Sequence, residues 1–115
     1  MIFRHVNAYA KPASFPDTFG CKMSFNQKYD RFFGYLLSLN DVNLDGADLI
    51  EARFYESSLR EASLNKTDLY GADFGDTDLR LATFIDADLA QVDFVGANLS
   101  GADLSEADLR GTILQ

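Results

Sequence analysis

Several residue patterns in this 115-residue chain could carry chemistry. Asp41-x-Asn43-x-Asp45-Gly46 opens like a calcium-binding loop, a motif that requires a bidentate Glu at its twelfth position. That position is Ala52, so the match is accidental. Asp48, Asp68, Asp88 and Asp108 recur every twenty residues and could form a column of carboxylates for cations. Short acidic side chains also cap nearby backbone N–H groups, which accounts for each Asp separately. No metal or other cofactor is expected. His5 is the only histidine, with no Cys or acidic cluster near it in sequence, so a nucleophile–histidine pair is not supported. Ser63-x-x-Lys66 is a β-lactamase fragment without its companion motifs. Asn65-Lys66-Thr67 and Asn98-Leu99-Ser100 match the glycosylation sequon, but no secretory signal accompanies them. Nothing in the residue pattern supports an enzyme.

The residues that dominate the chain instead build it. Every fifth position from Leu44 to Leu114 is Leu or Phe, and two positions earlier stands Ala, Val, Ser or Thr, from Val42 to Thr112. On a helix, steps of five residues rotate by about 140° and would spread Leu and Phe round the whole cylinder. In a flat strand the odd step would send successive pairs to opposite sides. A chain that turns one corner per repeat keeps both apolar positions inside a coil.

Asp45-Gly46, Tyr70-Gly71, Val95-Gly96, Ser100-Gly101 and Arg110-Gly111 supply suitable corners, because Gly as the third residue suits type II turns. Asp or Asn precedes most Leu/Phe centres and can hold the bend. Phe54, Phe74 and Phe94 recur at twenty residues. Rings stack when they lie above one another, so four repeats close one turn of a square coil. Coils rising by the inter-strand spacing of about 4.8 Å give a rod roughly 18 Å tall.

Ala47-Asp48-Leu49, Ala72-Asp73-Phe74, Ala87-Asp88-Leu89, Ala97-Asn98-Leu99, Ala102-Asp103-Leu104 and Ala107-Asp108-Leu109 resemble the pentapeptide repeat family, with its Ala-(Asp/Asn)-Leu-x-x consensus. Arg53, Ser58, Ser63, Thr83 and Ile113 depart at the polar position without loss of register. The resemblance covers about two thirds of the chain. It implies an all-β, right-handed quadrilateral β-helix and a non-enzymatic protein. Some members resemble duplex DNA in shape and charge and bind type II topoisomerases such as gyrase.

The charge lies mainly in the repeats. Of 18 Asp+Glu and 10 Lys+Arg, residues 42–115 hold 15 acids and 5 bases, a net of −10. Such a wall repels phosphates, so direct nucleic-acid binding is not expected. It also keeps the rod soluble. The single Cys21 forms no internal disulfide and fits a reducing compartment. No signal peptide or membrane-length apolar window is present, and the default location is the cytoplasm.

Residues 1–41 are expected to form an N-terminal capping segment, and residues 42–115 the β-helix. Tyr29, Phe32, Phe33, Leu36 and Leu37 fall on one helical stripe, which predicts a short capping helix over about 27–38 closing the first coil. Residues 1–25 admit either a degenerate extra coil or a loop with an edge strand near Ile2–Tyr9.

Outward apolar residues are the best candidates for recognition. Ile50 and Tyr70 stand twenty apart with Tyr55 round the corner, so Ile50, Tyr55 and Tyr70 form a candidate protein-binding patch rimmed by Glu51 and Glu56. Leu81 and Ile85 flank another corner. Arg60 and Arg80 stack on a third face, where they are expected to bridge the acidic wall. Thr112, Ile113, Leu114 and Gln115 end the chain on an apolar, open coil edge, which predicts an end-to-end, two-fold homodimer. The leading expectation is a protein-binding scaffold or adaptor. The alternative is a DNA mimic that occupies a topoisomerase or another DNA-binding protein. Ten net charges over roughly 18 Å approach the density of duplex DNA, about one per 1.7 Å.

Overall fold

The computed structural model describes residues 38–114 and the backbone of 24–26 and 31–33. Along the repeats, parallel bridges join residues twenty apart without a break, from Ser38–Ser58 and Asn43–Ser63 to Asp88–Asp108 and Asp93–Ile113. Four repeats therefore make one coil, as the recurrence of Phe54, Phe74 and Phe94 predicts. The bridge at Ser38 brings Leu39, fully buried, into the array. The four walls are numbered here from that point: 57–59, 62–64, 67–69 and 72–74 form one coil, and the same walls recur at steps of twenty.

The hydrogen bonding repeats with the sequence. Leu49 N–H donates to Asp68 O at 2.8 Å, Glu51 N–H to Tyr70 O at 2.8 Å, and Asp68 N–H to Ala47 O at 3.1 Å. Within each corner one bond closes a four-residue turn, as from Ala52 N–H to Leu49 O at 2.9 Å. The third turn residue has positive φ at every corner from Asp41 to Gly111, the type II pattern. Glycine satisfies this at Gly46, Gly71, Gly96, Gly101 and Gly111. The other corners place Asp, Glu, Lys, Gln or Leu there, at φ of 52° to 64°.

The lumen is filled by both apolar positions of each repeat. Leu59, Ala62, Leu64, Leu69, Ala72, Phe74, Leu79, Ala82, Phe84 and Leu89 are all fully buried. Phe54 and Phe74 stack with centroids 4.8 Å apart at 3°, and Phe74 and Phe94 at 5.6 Å and 10°. Phe84 reaches across the lumen from the opposite wall and meets Phe74 and Phe94 edge-on, at 5.8 and 6.2 Å. Both geometries are favoured by the ring quadrupole. Thr67 and Thr77 are buried at the small position, and their hydroxyls donate to Leu64 O at 2.7 Å and to Phe54 O at 2.8 Å. This meets the hydrogen-bonding requirement of buried polar groups.

The capping helix expected over 27–38 is corrected by the backbone. Ser24–Asn26 (β1) pairs antiparallel with Arg31–Phe33 (β2), in the register Ser24–Phe33, Phe25–Phe32 and Asn26–Arg31. Phe32 and Phe33 favour strands, and four residues suffice to connect a hairpin. A twelve-residue helix containing Gly34 would be marginal from nucleation and propensity alone. Of the segment 1–25, residues 24 and 25 belong to β1, while residues 1–23, with the edge strand expected near Ile2–Tyr9, lie outside the described residues.

Candidate protein-binding wall

The fourth wall, 52–54, 72–74 and 92–94, is flanked by two corners. One carries Ile50, Tyr70 and Ala90 in a column, the other Tyr55, Gly75 and Val95. Ile50, Tyr55, Tyr70 and Val95 are all exposed. The column geometry explains their posture. A Cβ added to Gly75 would lie 3.2 Å from Tyr55 Cδ1, and one on Gly71 would lie 3.2 Å from Glu51 Cγ. The small residue of the next coil thus lets Tyr55 and the stem of Glu51 lie down along the corner. Val95 extends the patch beyond Ile50, Tyr55 and Tyr70. Its place twenty-plus-twenty residues from Tyr55 was legible in the repeat register.

Between the corners, Glu51, Arg53, Gly71, Ala72, Asp73 and Asp93 line a shallow depression of about 390 Å³. Its outward column reads Arg53, Asp73, Asp93 and Ile113, one cation against two carboxylates. The Tyr55 phenol is held above its usual range by Glu56 first, then Asp76, burial and Asp73. It therefore stays a neutral hydrogen-bond donor across the physiological range. Glu56 is exposed and rims this side, as Glu51 rims the other.

Elsewhere the expected residues are engaged in their own turns. Oδ1 of Asp68, Asp88 and Asp108 accepts the N–H of Tyr70, Ala90 and Arg110 at 3.3, 3.0 and 3.1 Å, and Asp48 caps Ile50 N–H at 3.3 Å. Burial, with the like charges of Asp88 and Asp48 behind it, pushes the Asp68 carboxyl up despite its bond from Tyr70. Asn43 and Asp45, the start of the calcium-like fragment, cap Asp45 N–H and Asn65 N–H, while Ala52 is fully buried.

Three repeats that lack their own Asp or Asn, at Ser58, Ser63 and Thr83, receive a substitute cap from the coil before. Ser58 leaves Arg60 N–H to Asn40 Oδ1 at 2.8 Å, which also accepts from Ser58 Oγ at 2.6 Å. Ser63 leaves Asn65 N–H to Asp45 Oδ1 at 2.9 Å, and Thr83 leaves Ile85 N–H to Asn65 Oδ1 at 2.8 Å. This exchange across coils is visible in the sequence only once the twenty-residue register is imposed.

Arg80 does bridge to the acidic surface, with Nε and Nη2 on Asp78 at 2.9 and 2.7 Å. Arg110 does the same to Asp108, holding that carboxyl down at about 2. Leu81 and Ile85 lie at neighbouring corners, on either side of the 82–84 wall. Toward the C-terminal edge, Leu109, Ile113 and Leu114 are exposed, and Thr112 Oγ1 donates to Leu109 O at 3.0 Å. Gln115 lies outside the described residues. Among the described residues no helix is long and apolar enough to cross a membrane.

The chain matches the family model for pentapeptide repeats over residues 38–76 and 77–115. It is similar to the crystal structure of a pentapeptide repeat protein from the thylakoid lumen of Arabidopsis thaliana. The identity is 35%, the TM-score 0.68, and the match covers 69% of this chain and 55% of that one. It is also similar to HetL, a pentapeptide repeat protein involved in heterocyst differentiation regulation in the cyanobacterium Nostoc. There the identity is 34%, the TM-score 0.45, and the coverage 67% of this chain and 40% of that one. The chain thus spans about half the length of these solved structures. No curated protein matches it. Parallel bridges at twenty residues, a type II corner every five and a family match over both halves of the array make this chain a member of the pentapeptide repeat family.

Proposed function

We propose that the chain is a non-enzymatic scaffold that binds another protein through its fourth wall. The observation that carries this reading is the grouping of Ile50, Tyr70, Tyr55 and Val95, all exposed, along the two edges of one depression. Tyrosine is among the residue types in which binding energy concentrates at protein interfaces. The strand-and-corner scaffold fixes them before a partner arrives, which lowers the ordering cost of association. Glu51, Glu56, Arg53, Asp73 and Asp93 would set orientation and reject mismatched partners.

The test is retention of partners from the protein's own cell extract on the immobilised chain and on its Tyr70→Ala variant. The reading expects retention that survives raised salt and is lost on Tyr70→Ala. Equal retention by both proteins would overturn it.

A second reading is favoured by the third wall. Asp48, Asp68, Asp88 and Asp108 bridge in series up that wall, one carboxylate per coil, as on a charged polymer. In this reading the chain mimics duplex DNA for a DNA-binding protein such as a type II topoisomerase. End-to-end pairing of two copies through Thr112, Ile113, Leu114 and Gln115 would supply the length. Competition by duplex DNA and a steep loss of binding with salt would favour it over the scaffold. Light scattering showing a monomer at high concentration would remove the pairing.

A further inference from the structure

Tyr55 and Tyr70 are the two tyrosines of residues 38–114, and both are exposed at the edges of the fourth wall. The corner that carries Tyr55 has the columns Tyr55, Gly75, Val95 and Glu56, Asp76, Gly96. Gly75 is buried, and a Cβ added to it would lie 3.2 Å from Tyr55 Cδ1 and 3.1 Å from Asp73 Oδ1. The ring and the Asp73 carboxylate therefore meet over one glycine. A Cβ on Gly96 would collide with Asp76 Oδ1, so Asp76 lies down along the same corner one coil further on. Pressed against Gly75 on one side, Tyr55 is still 42% exposed.

The charges that act on its phenol are carboxylates. Glu56 raises it most, followed by Asp76 and, after burial, Asp73. Asp73 uses Oδ1 to accept from Gly75 N–H at 2.8 Å. Among the described residues none of Glu56, Asp73 and Asp76 closes an ion pair, whereas Asp78 and Asp108 are each held by an arginine. Arg53, the one base on the fourth wall, is already engaged. The corner is thus an open aromatic ring set among carboxylates that no cation of the chain neutralises.

Such a surface is complementary to a cation with a flat, weakly hydrated body. A guanidinium meets both demands: it stacks on aromatic faces and donates to carboxylates in a fixed fork. The ammonium of lysine is compact and strongly hydrated, so it exploits the carboxylates without the ring. Anions are repelled.

We propose that the protein bound by the fourth wall presents an arginine to this corner, its guanidinium stacked on the Tyr55 ring and donating to the carboxylates of Asp73 and Asp76. This rests on the reading that the fourth wall binds a protein, and it names the chemistry of what is bound. On an extended segment, side chains two residues apart share a side at about 6.6 Å. The sequence Arg-x-Leu therefore turns both toward the wall, where Tyr70 and Val95 offer apolar surface to the leucine. One cation in contact is screened far less than charges a Debye length apart, which agrees with retention at raised salt.

The test uses the full chain, isotopically labelled, titrated with the blocked peptide Ser-Arg-Ser-Leu-Ser and followed by amide chemical shifts. Control peptides carry Lys or Gln for Arg. Saturable shifts around Tyr55, Gly75 and Asp76 are expected with the arginine peptide, weaker ones with lysine and none with glutamine. Tyr55→Leu keeps apolar bulk and removes the ring, and should weaken binding about three- to fivefold. Asp73→Asn combined with Asp76→Asn should weaken it about fivefold. Both substitutions preserve the fold: Asn caps this turn elsewhere, as Asn98 does for Ser100 N–H at 3.1 Å, and it tolerates the φ of 52° at Asp76. Equal binding of the arginine and lysine peptides, or binding indifferent to both variants, would overturn the proposal. So would shifts at this corner on concentrating the chain alone, which would make a second copy the occupant. Extract partners lost on Tyr70→Ala but kept on Tyr55→Leu would overturn arginine as the ligand while the wall stands as a binding surface; partners kept on both would remove the wall itself.

Discussion

Replacing Phe74 by Ala tests the physics of the array most directly. Phe74 is fully buried, stacked on Phe54 at 4.8 Å and on Phe94 at 5.6 Å, and touched edge-on by Phe84. A buried Phe→Ala change costs about 3–5 kcal/mol. Three ring partners, each worth about 0.5–1.5 kcal/mol beyond area, place Phe74→Ala at the upper end, about 4–5 kcal/mol. Phe94 stacks on Phe74 near the C-terminal edge of the array, and Phe94→Ala should cost about 3 kcal/mol by the same reasoning. The assay is urea unfolding followed by far-ultraviolet circular dichroism, with the slope held common to the variants. A small domain holds only about 5–15 kcal/mol in total. If Phe74→Ala leaves no folded baseline, Phe74→Leu serves, with an expected cost near 1.5 kcal/mol. A Phe74→Ala loss under about 2 kcal/mol, or an equal or larger loss in Phe94→Ala, would refute a ladder built on mutual stacking.

Four further outcomes follow from the corners. Asn40→Ala should cost about 1–2 kcal/mol by removing two hydrogen bonds, and Ser58→Asp in the same chain should restore most of it by capping Arg60 N–H from within the repeat; a double-mutant cycle with no coupling would contradict this. Asp68→Asn should stabilise the protein by about 0.3 kcal/mol at neutral pH, since like charges facing across strands destabilise and solvent screens part of the effect. The sign follows from linkage: the Asp68 carboxyl is raised above its ordinary value on folding, so its charged form opposes folding at neutral pH, and the gain from Asn fades as pH falls through that raised value. By the same logic Asp108, held down at about 2 by Arg110, contributes stability above its ordinary value of 3.8 that disappears only in strong acid; an unfolding midpoint for Arg110→Gln that tracks the parent across pH 2–5 would count against that pairing. Glu106→Gly should stabilise by about 0.5 kcal/mol, the difference between relief of a left-handed backbone and the added freedom of the unfolded chain, read as a small rise in the urea midpoint.

The repeat array was legible because two constraints repeat together. Leu or Phe every fifth residue with a small partner two before it excludes helix and flat strand alike, and Phe54, Phe74 and Phe94 set the coil at twenty residues. The aspartates before the centres cap the turns as short acidic side chains do. Positive φ at Glu51, Glu56, Glu61 and Leu81 was harder to see, because local propensity points to Gly and the parallel bonding of stacked coils overrides it. The hairpin of β1 and β2 was misread as helix because Tyr29, Phe32 and Phe33 satisfy an i, i+3, i+4 stripe as well as a strand of adjacent aromatics. For the candidate surface, Ile50 and Tyr70 follow from the register. The lie of Tyr55 over Gly75 and of Glu51 over Gly71 does not, since both depend on how one side chain lies across the next coil.

The borrowed caps carry a consequence for how such a rod could grow or shrink. Asn40 serves Arg60, Asp45 serves Asn65, and Asn65 serves Ile85, each across one full turn. Deleting or duplicating one, two or three pentapeptides between a donor and its recipient would shift the two to different sides and orphan both. Duplication by twenty residues preserves every loan, so inheritance of this chain's length in whole turns is favoured by its chemistry, and a lineage that varies by single pentapeptides should first have restored an aspartate to Ser58, Ser63 and Thr83.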